Sequence, residues 1–266
     1  MRINPLRINP PRNIRLLVAY DGTDFAGWQR QANGVRTVQG EIEAALKKIH
    51  KNKVTLIGSG RTDAGVHAAG QTANFYTTID SMNAGRFIPA LNSLLPRDIR
   101  ILDAAETEPD FHSRFDAKNR TYRYFIITDR QAMPWELRYS WQIRRKPGLD
   151  ILNSYASILR GEIDCTTFAV PGDKSISRSR YIFNAVFWIE SDHLVFEITA
   201  NAFLWKMVRS ITGTLLYYEE KNLSVSDFKK IIESRDRSLA GPTAPCQGLF
   251  LWKTEYYGKK SINALN

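Results

Sequence analysis

Short apolar runs and helix-period segments follow one another in this chain in the order β-α-β-β-α-β, which few folds accommodate. Ile14 to Tyr20 is an apolar run stopped by Asp21-Gly22, so it reads as a strand entering a turn. A second turn-like stretch runs from Gly27 to Gly34. Thr37 then precedes Ile42, Ala45, Leu46 and Ile49 at helical spacing, with Glu41, Glu43, Lys47 and Lys48 on other faces. Val54 to Ile57 predicts a strand, Gln71 to Thr77 another, Ala84 to Leu95 a helix ended by Pro96, and Ile99 to Leu102 a strand. This is the order of a ferredoxin-like unit and of many RNA-binding sheets.

The second half can be read in the same way. Thr121 to Thr128 alternates as a strand, Leu149 to Leu159 is helical, and Tyr181 to Glu190 with Leu194 to Ala200 forms a hairpin. A long helix at Phe203 to Tyr218, a shorter one at Ser226 to Ser234 and a strand at Gly248 to Tyr256 complete it. No repeat aligns between the halves, so their kinship rests on element order alone. The prediction is an α+β fold of two ferredoxin-like, RRM-like α/β domains with mostly antiparallel sheets, helices mainly on one face and an active cleft between them. Residues 14–105 form the first domain and 106–258 the second, with 1–13 a flexible basic leader and 259–266 a tail.

A length of 266 residues lets each domain bury a core of its own. No run of about 18 apolar residues occurs, which excludes a transmembrane helix. The leader holds Arg2-Ile3-Asn4-Pro5 and Arg7-Ile8-Asn9-Pro10 and lacks a signal peptide's apolar region, so the expectation is a cytoplasmic protein. Two cysteines, Cys165 and Cys246, are too few for a disulfide scaffold, and no Cys/His spacing suits zinc. The net charge of +10 favours a polyanionic partner, since each phosphate neutralised releases counterions. Basic residues gather in the leader, in Arg138 to Lys146 and in Lys174 to Arg180, and Trp28, Tyr122, Tyr124, Trp141 and Trp205 lie near a Lys or Arg. Charge with flat rings suits RNA, although charge alone fits a merely solvated surface equally well.

The densest polar cluster is Gly58-Ser59-Gly60-Arg61-Thr62-Asp63-Ala64-Gly65-Val66-His67. It is not a phosphate-binding P-loop, because no Lys-Ser or Lys-Thr follows the glycines, and the third glycine of a dinucleotide fingerprint would fall at Asp63. What remains is an Arg and an Asp after a strand. In a cleft they offer a carboxylate nucleophile and a guanidinium for phosphate or base. Spacing alone favours a plainer reading, a turn whose Asp caps the next element.

Gly60 to His67 resembles the signature of the TruA family of tRNA pseudouridine synthases. So do Tyr20-Asp21-Gly22-Thr23-Asp24-Phe25-Ala26-Gly27-Trp28-Gln29-Arg30 with Thr37-Val38-Gln39-Gly40, and Phe111-His112-Ser113-Arg114-Phe115-Asp116-Ala117 running into Tyr122-Arg123-Tyr124. Phe203-Leu204-Trp205-Lys206-Met207-Val208-Arg209 and Gly248-Leu249-Phe250-Leu251 complete the family's order. Five ordered motifs span nearly the whole chain between leader and tail.

The resemblance implies the pseudouridine synthase fold and a reaction that breaks the N1–C1′ bond of a uridine, turns the uracil and rejoins it through C5. By position Asp63 is the indispensable carboxylate, adding to C1′ or C6 or working through a glycal. Tyr122 matches the tyrosine that stacks on the target base and takes part in removing the C5 proton. Arg209 matches the arginine that pairs with the catalytic Asp. Leu249 matches an apolar residue against the uracil face, and Arg61 an arginine that helps draw the nucleotide from its stack. His67 and Gln71 read as scaffold, Asp21 and Asp24 as turn residues. The resemblance further implies a homodimer with tRNA lying across both subunits. It implies uridines 38, 39 and 40 of the anticodon stem-loop as substrate, and no organic cofactor, metal or membrane. Two other classes compete. A catalytically dead RNA-binding protein is opposed by the presence of Asp63, Tyr122 and Arg209. A glycosidic-bond hydrolase needs a second carboxylate, for which Asp116 is the only candidate in a motif.

Overall fold

The computed structural model describes residues 11–32 and 34–256. Residues 1–10 of the predicted leader and the tail at 259–266 lie outside the described residues. Pro11 precedes the first strand, β1 (Arg12–Tyr20), which starts two residues earlier than predicted.

Ten strands join in one sheet among the described residues. In the first half, β1 is followed by α1 (Val38–His50), β2 (Ile57–Gly58), β3 (His67–Thr77), α2 (Phe87–Asn92) and β4 (Ile99–Thr107). The second half contributes β5 (Asn119–Thr128), β6 (Trp141–Ile143), α3 (Leu149–Ile158), β7 (Gly161–Asp164), β8 (Ser179–Glu190) and β9 (His193–Ala200). It ends with α4 (Met207–Glu220), α5 (Val225–Ser234) and β10 (Leu249–Glu255). The order across the sheet is β4-β1-β3-β10-β5-β9-β8-β7, with β2 added to β3 and β6 to β5. Pairing is antiparallel except for β5 with β6 and β3 with β10. The β3–β10 seam, where Phe250 faces His67 and Leu251 faces Ala68, makes the sheet continuous between the halves.

The elements form for local reasons. Thr37 caps α1 by accepting from the Gly40 amide at 3.3 Å. The buried face of α1, with Ile42 and Leu46, shares a core with Ile14, Leu16 and Val18 of β1 and Phe75 of β3. In the second half Leu152, Tyr155, Ile211, Leu215 and Phe228 of the helices join Tyr124, Phe187, Phe196 and Ile198 of the strands. Along β5, Tyr122 and Tyr124 take the same side by alternation, directly opposite Leu251 and Leu249 of β10.

Candidate active site

Gly58 ends β2, and the chain from Ser59 to Val66 is a loop that returns at His67 to β3. Thr72 and Gln71 of β3 fix its first residues. The Ser59 amide donates to Thr72 O at 2.8 Å, its hydroxyl donates to Gln71 Oε1 at 2.6 Å, and Gln71 Nε2 donates to Gly60 O at 2.8 Å. The N-terminal motif holds the middle. Tyr20 Oη and Thr62 Oγ1 lie 2.8 Å apart, and the Trp28 amide donates to Thr62 O at 3.1 Å. Two glycines allow this approach. A Cβ on Gly22 would sit 2.0 Å from the Val66 carbonyl oxygen, and Gly27, with φ +98°, would put one 2.7 Å from Thr62 O. The Tyr20 to Trp28 motif is therefore the bed of the Asp63 loop.

His67 supports the same bed. Its Nδ1 accepts from the Gly22 amide at 3.0 Å, which places the ring proton on Nε2, 3.1 Å from Gln247 O. Burial pushes its pKa down, so the ring is neutral and the 3.2 Å approach of Asp21 Oδ1 is not an ion pair at neutral pH. Asp21 and Asp24 are engaged by Arg138, at 2.7 and 3.0 Å. Arg145 is likewise paired, with Glu219. Much of the basic stretch from Arg138 to Lys146 thus braces the chain itself.

Asp63 is largely buried in its loop, and Arg209 Nη1, from the first turn of α4, stands 3.5 Å from its Oδ2. Arg209 is fixed in turn by donation from Nε to Ala244 O at 2.7 Å. Burial raises the Asp63 pKa above the usual carboxylate value. Arg209 opposes that most strongly, followed by a hydrogen bond from the Trp205 side chain and the charge of Lys206. Sequence reasoning gave Trp205 and Lys206 no place in the site. They reach it because Lys206 takes a left-handed backbone, φ +57°, which holds the chain out of helix just before α4. The same turn sets Phe203 edge-on to Tyr122, with ring centroids 5.0 Å apart.

The Tyr122 ring is buried, and the position of a Cβ on Gly60 lies 3.9 Å from its hydroxyl. Burial first, and the Asp63 charge second, raise its pKa, so the phenol is neutral at physiological pH. The structure therefore brings Asp63, Arg209, Tyr122, Trp205 and Lys206 together. Leu249 is buried on the side of the sheet that carries Tyr122 and Tyr124. Arg61 is exposed and forms no ion pair among the described residues. Asp116 accepts from the His112 amide at 3.1 Å, as the cap of its own turn. Among the described residues no group of three or more His, Cys, Asp and Glu could hold a metal ion.

Arg120 is a second residue that sequence reasoning passed over. Its Nε and Nη2 donate to Ser59 O at 3.3 and 2.9 Å, and Nη2 also donates to Arg114 O at 2.6 Å. Nη1 donates to Ala117 O at 3.2 Å and Asn201 O at 2.8 Å, which occupies every donor of the guanidinium. One side chain thus ties the Asp63 loop to the segment before β5 and to the turn after β9. Arg120→Met strips four carbonyls of a charged donor, and a loss of about 3 kcal/mol in unfolding free energy is expected from urea titration.

The model of a family described as tRNA pseudouridine synthase matches residues 16–116 and 156–257. Asp63, Arg209, Arg61 and Leu249 fall inside the matched segments, and Tyr122 lies between them. A tRNA pseudouridine synthase A of Treponema denticola is 59% identical over 249 residues, covering 92% of this chain and 93% of the relative. One from Treponema pallidum is 53% identical over 88% of this chain and 85% of its own length. One from Borrelia duttonii is 43% identical over 92% of this chain and 99% of its own.

Proposed function

We infer that this chain, which belongs to the tRNA pseudouridine synthase family and so isomerises uridine to pseudouridine in tRNA, carries out that reaction with Asp63 as its nucleophile. The observation that carries this assignment is the largely buried Asp63 carboxylate with Arg209 3.5 Å away. The reaction breaks N1–C1′, forms C5–C1′ and moves one hydrogen from C5 to N1, so it has no net oxidation or hydrolysis. One carboxylate kept ionised in a water-poor site suits it, and the reading needs neither an organic cofactor nor a metal.

The other residues take proposed roles around Asp63. Arg209 keeps Asp63 charged and aimed. Tyr122 supplies the aromatic wall for the uracil, and Leu249 the apolar surface on the same side of the sheet. Because the Tyr122 phenol is neutral, a C5 proton taken up by its oxygen must be passed on in the same step. Arg61, exposed beside Asp63, bonds phosphate or fills the space that the extruded nucleotide vacates.

The proposed substrate positions are uridines 38, 39 and 40 of the anticodon stem-loop, read by a cytoplasmic homodimer whose two subunits share the tRNA. The net charge of +10 supports a polyanionic partner, and no described helix is long and apolar enough to cross a membrane. The domain division at 14–105 and 106–258 is kept as part of the proposal, with Asp63 from the first unit and Tyr122, Arg209 and Leu249 from the second. Mapping pseudouridine by carbodiimide-induced reverse-transcription stops on tRNA transcripts tests the positions. Stops are expected at 38, 39 and 40 and nowhere else; stops confined to another arm would refute the anticodon assignment.

A further inference from the structure

Tyr124 is fully buried in the middle of β5, where a plain apolar ring would fill the core as well. Its hydroxyl is the part that packing does not require. That Oη donates to Pro245 O at 2.7 Å. The ring carrying it is held in one place. A Cβ on Gly248 would stand 2.6 Å from Tyr124 Cε1, so the backbone presses on the ring where only glycine permits it. Trp141 meets the ring edge-on, with centroids 6.2 Å apart. Burial pushes the phenol pKa up, and the hydroxyl keeps the proton it donates.

The accepting carbonyl lies in irregular chain ahead of β10, from Gly241 to Pro245, where no strand partner fixes the backbone. Ala244 is bonded to Arg209 twice. Its amide donates to Arg209 O at 3.0 Å, and its carbonyl accepts from Arg209 Nε at 2.7 Å. Pro245 has no N–H, so its carbonyl is its only hydrogen-bonding group, and Tyr124 occupies it. The acceptor that aims Arg209 is thus tied to the sheet one peptide further on. Alternation along β5 puts Tyr122 and Tyr124 on the same side. The first has its hydroxyl at the Asp63 loop, and the second holds the segment that holds Arg209.

We propose that Tyr124 is a positioning residue of the reaction, its hydroxyl holding the Arg209 guanidinium on Asp63 through the Ala244–Pro245 peptide. Without that bond Pro245 O loses its donor, and Ala244 O, the anchor of Arg209 Nε, is released with it. The 3.5 Å approach of Arg209 Nη1 to Asp63 Oδ2 then lengthens. This inference rests on the reading that Arg209 keeps Asp63 charged.

The test is Tyr124→Phe in the full chain, assayed by tritium release across pH. A fall of about tenfold in kcat is expected, with KM for tRNA unchanged because the buried hydroxyl meets no substrate. The acid limb of the profile is expected to move to higher pH, as in Arg209→Met but by less. Asp63 is faced by Arg209, Lys206, Trp205 and the Tyr122 phenol, and Tyr124→Phe leaves all four in the chain. In an Arg209→Met background the same change is expected to cost nothing further. Replacing Tyr124 by 4-aminophenylalanine, which keeps a donor at that place, is expected to restore both kcat and the limb, whereas 4-methoxyphenylalanine is not. Native kcat in Tyr124→Phe, or its full loss added on top of Arg209→Met, would overturn the proposal. So would a limb that stays in place in Tyr124→Phe while Arg209→Met moves it, or equal activity with the amino and methoxy rings. Failure of the Arg209 reading has a separate signature, no displacement of the limb in Arg209→Met itself, and the coupling of the two substitutions in kcat then still decides the role of Tyr124.

Discussion

Asp63→Asn is expected to abolish tritium release from tRNA carrying 5-tritiated uridine, by at least about four orders of magnitude, while tRNA binding persists. Joining C5 to C1′ must expel the hydrogen at C5, whereas binding or hydrolysis of the base need not. The amide keeps the size of the carboxylate and removes the charge to which the proposed mechanism gives the attack. The fixation of the loop supports the survival of binding, because Ser59, Gly60 and Thr62 are held by Thr72, Gln71, Tyr20 and Trp28, none of which depends on the Asp63 side chain. Release by the variant at the native rate would remove Asp63 from the mechanism, and free uracil from the native protein would indicate a hydrolase.

The same substitution makes a second, thermodynamic statement. The Asp63 pKa is raised in the folded protein, so between the unfolded and folded values the native state binds more protons than the unfolded one. Stability therefore falls as pH rises through that interval, and above it the full cost of keeping the charge buried remains. A neutral amide escapes that cost. Asp63→Asn is expected to melt no lower than the native protein at pH 7 to 8, with the difference shrinking on acidification. A functional carboxylate whose removal stabilises the fold is one maintained for chemistry.

Strands and helices were legible where a pattern ran for more than about six residues, and the exceptions have local causes. Val54 to Ile57 reads as a strand, yet only Ile57–Gly58 pairs with β3. At Leu56 the backbone bonds to α1 instead, its amide donating to Glu43 Oε1 at 3.1 Å and its carbonyl accepting from Gln39 Nε2 at 2.9 Å. The helix read at Ala84 to Leu95 is α-helical only over Phe87–Asn92, preceded by a single tighter turn. Strands β6 and β7, of three and four residues, are too short to show alternation. Sheet order was not legible, because the β3–β10 seam joins residues about 180 positions apart through backbone bonds that no side-chain period encodes.

The candidate site divides along similar lines. Asp63, Arg209 and Tyr122, which the structure brings together, each stand in a motif that the sequence shows. Trp205 and Lys206 lay inside a recognised motif, but the period of Phe203 to Tyr218 suggested helix throughout. The left-handed Lys206, which starts α4 only at Met207 and turns Trp205 toward Asp63, breaks that period. Arg120 gave no signal at all, since a guanidinium that bonds only carbonyls has no partner residue type to look for.

Arg209→Met is expected to lower kcat/KM by about two to three orders of magnitude at neutral pH, and to shift its pH profile. In the proposed mechanism Asp63 acts as the carboxylate, so activity is expected to fall as pH drops through its pKa. Burial places that limb above the ordinary carboxylate range, and Arg209 is the strongest influence holding it from rising further. Without the guanidinium the limb must move to higher pH, and part of the loss must return as the medium is made more alkaline. Arg209→Lys is not expected to rescue the enzyme. Arg209 meets Asp63 through Nη1 and Ala244 O through Nε at the same time, and one ammonium cannot span both directions. A loss of equal size at every pH would overturn the role of Arg209 in holding the Asp63 charge. The displacement of the acid limb is therefore the decisive reading, because a merely loosened fold would lower the whole profile without moving it.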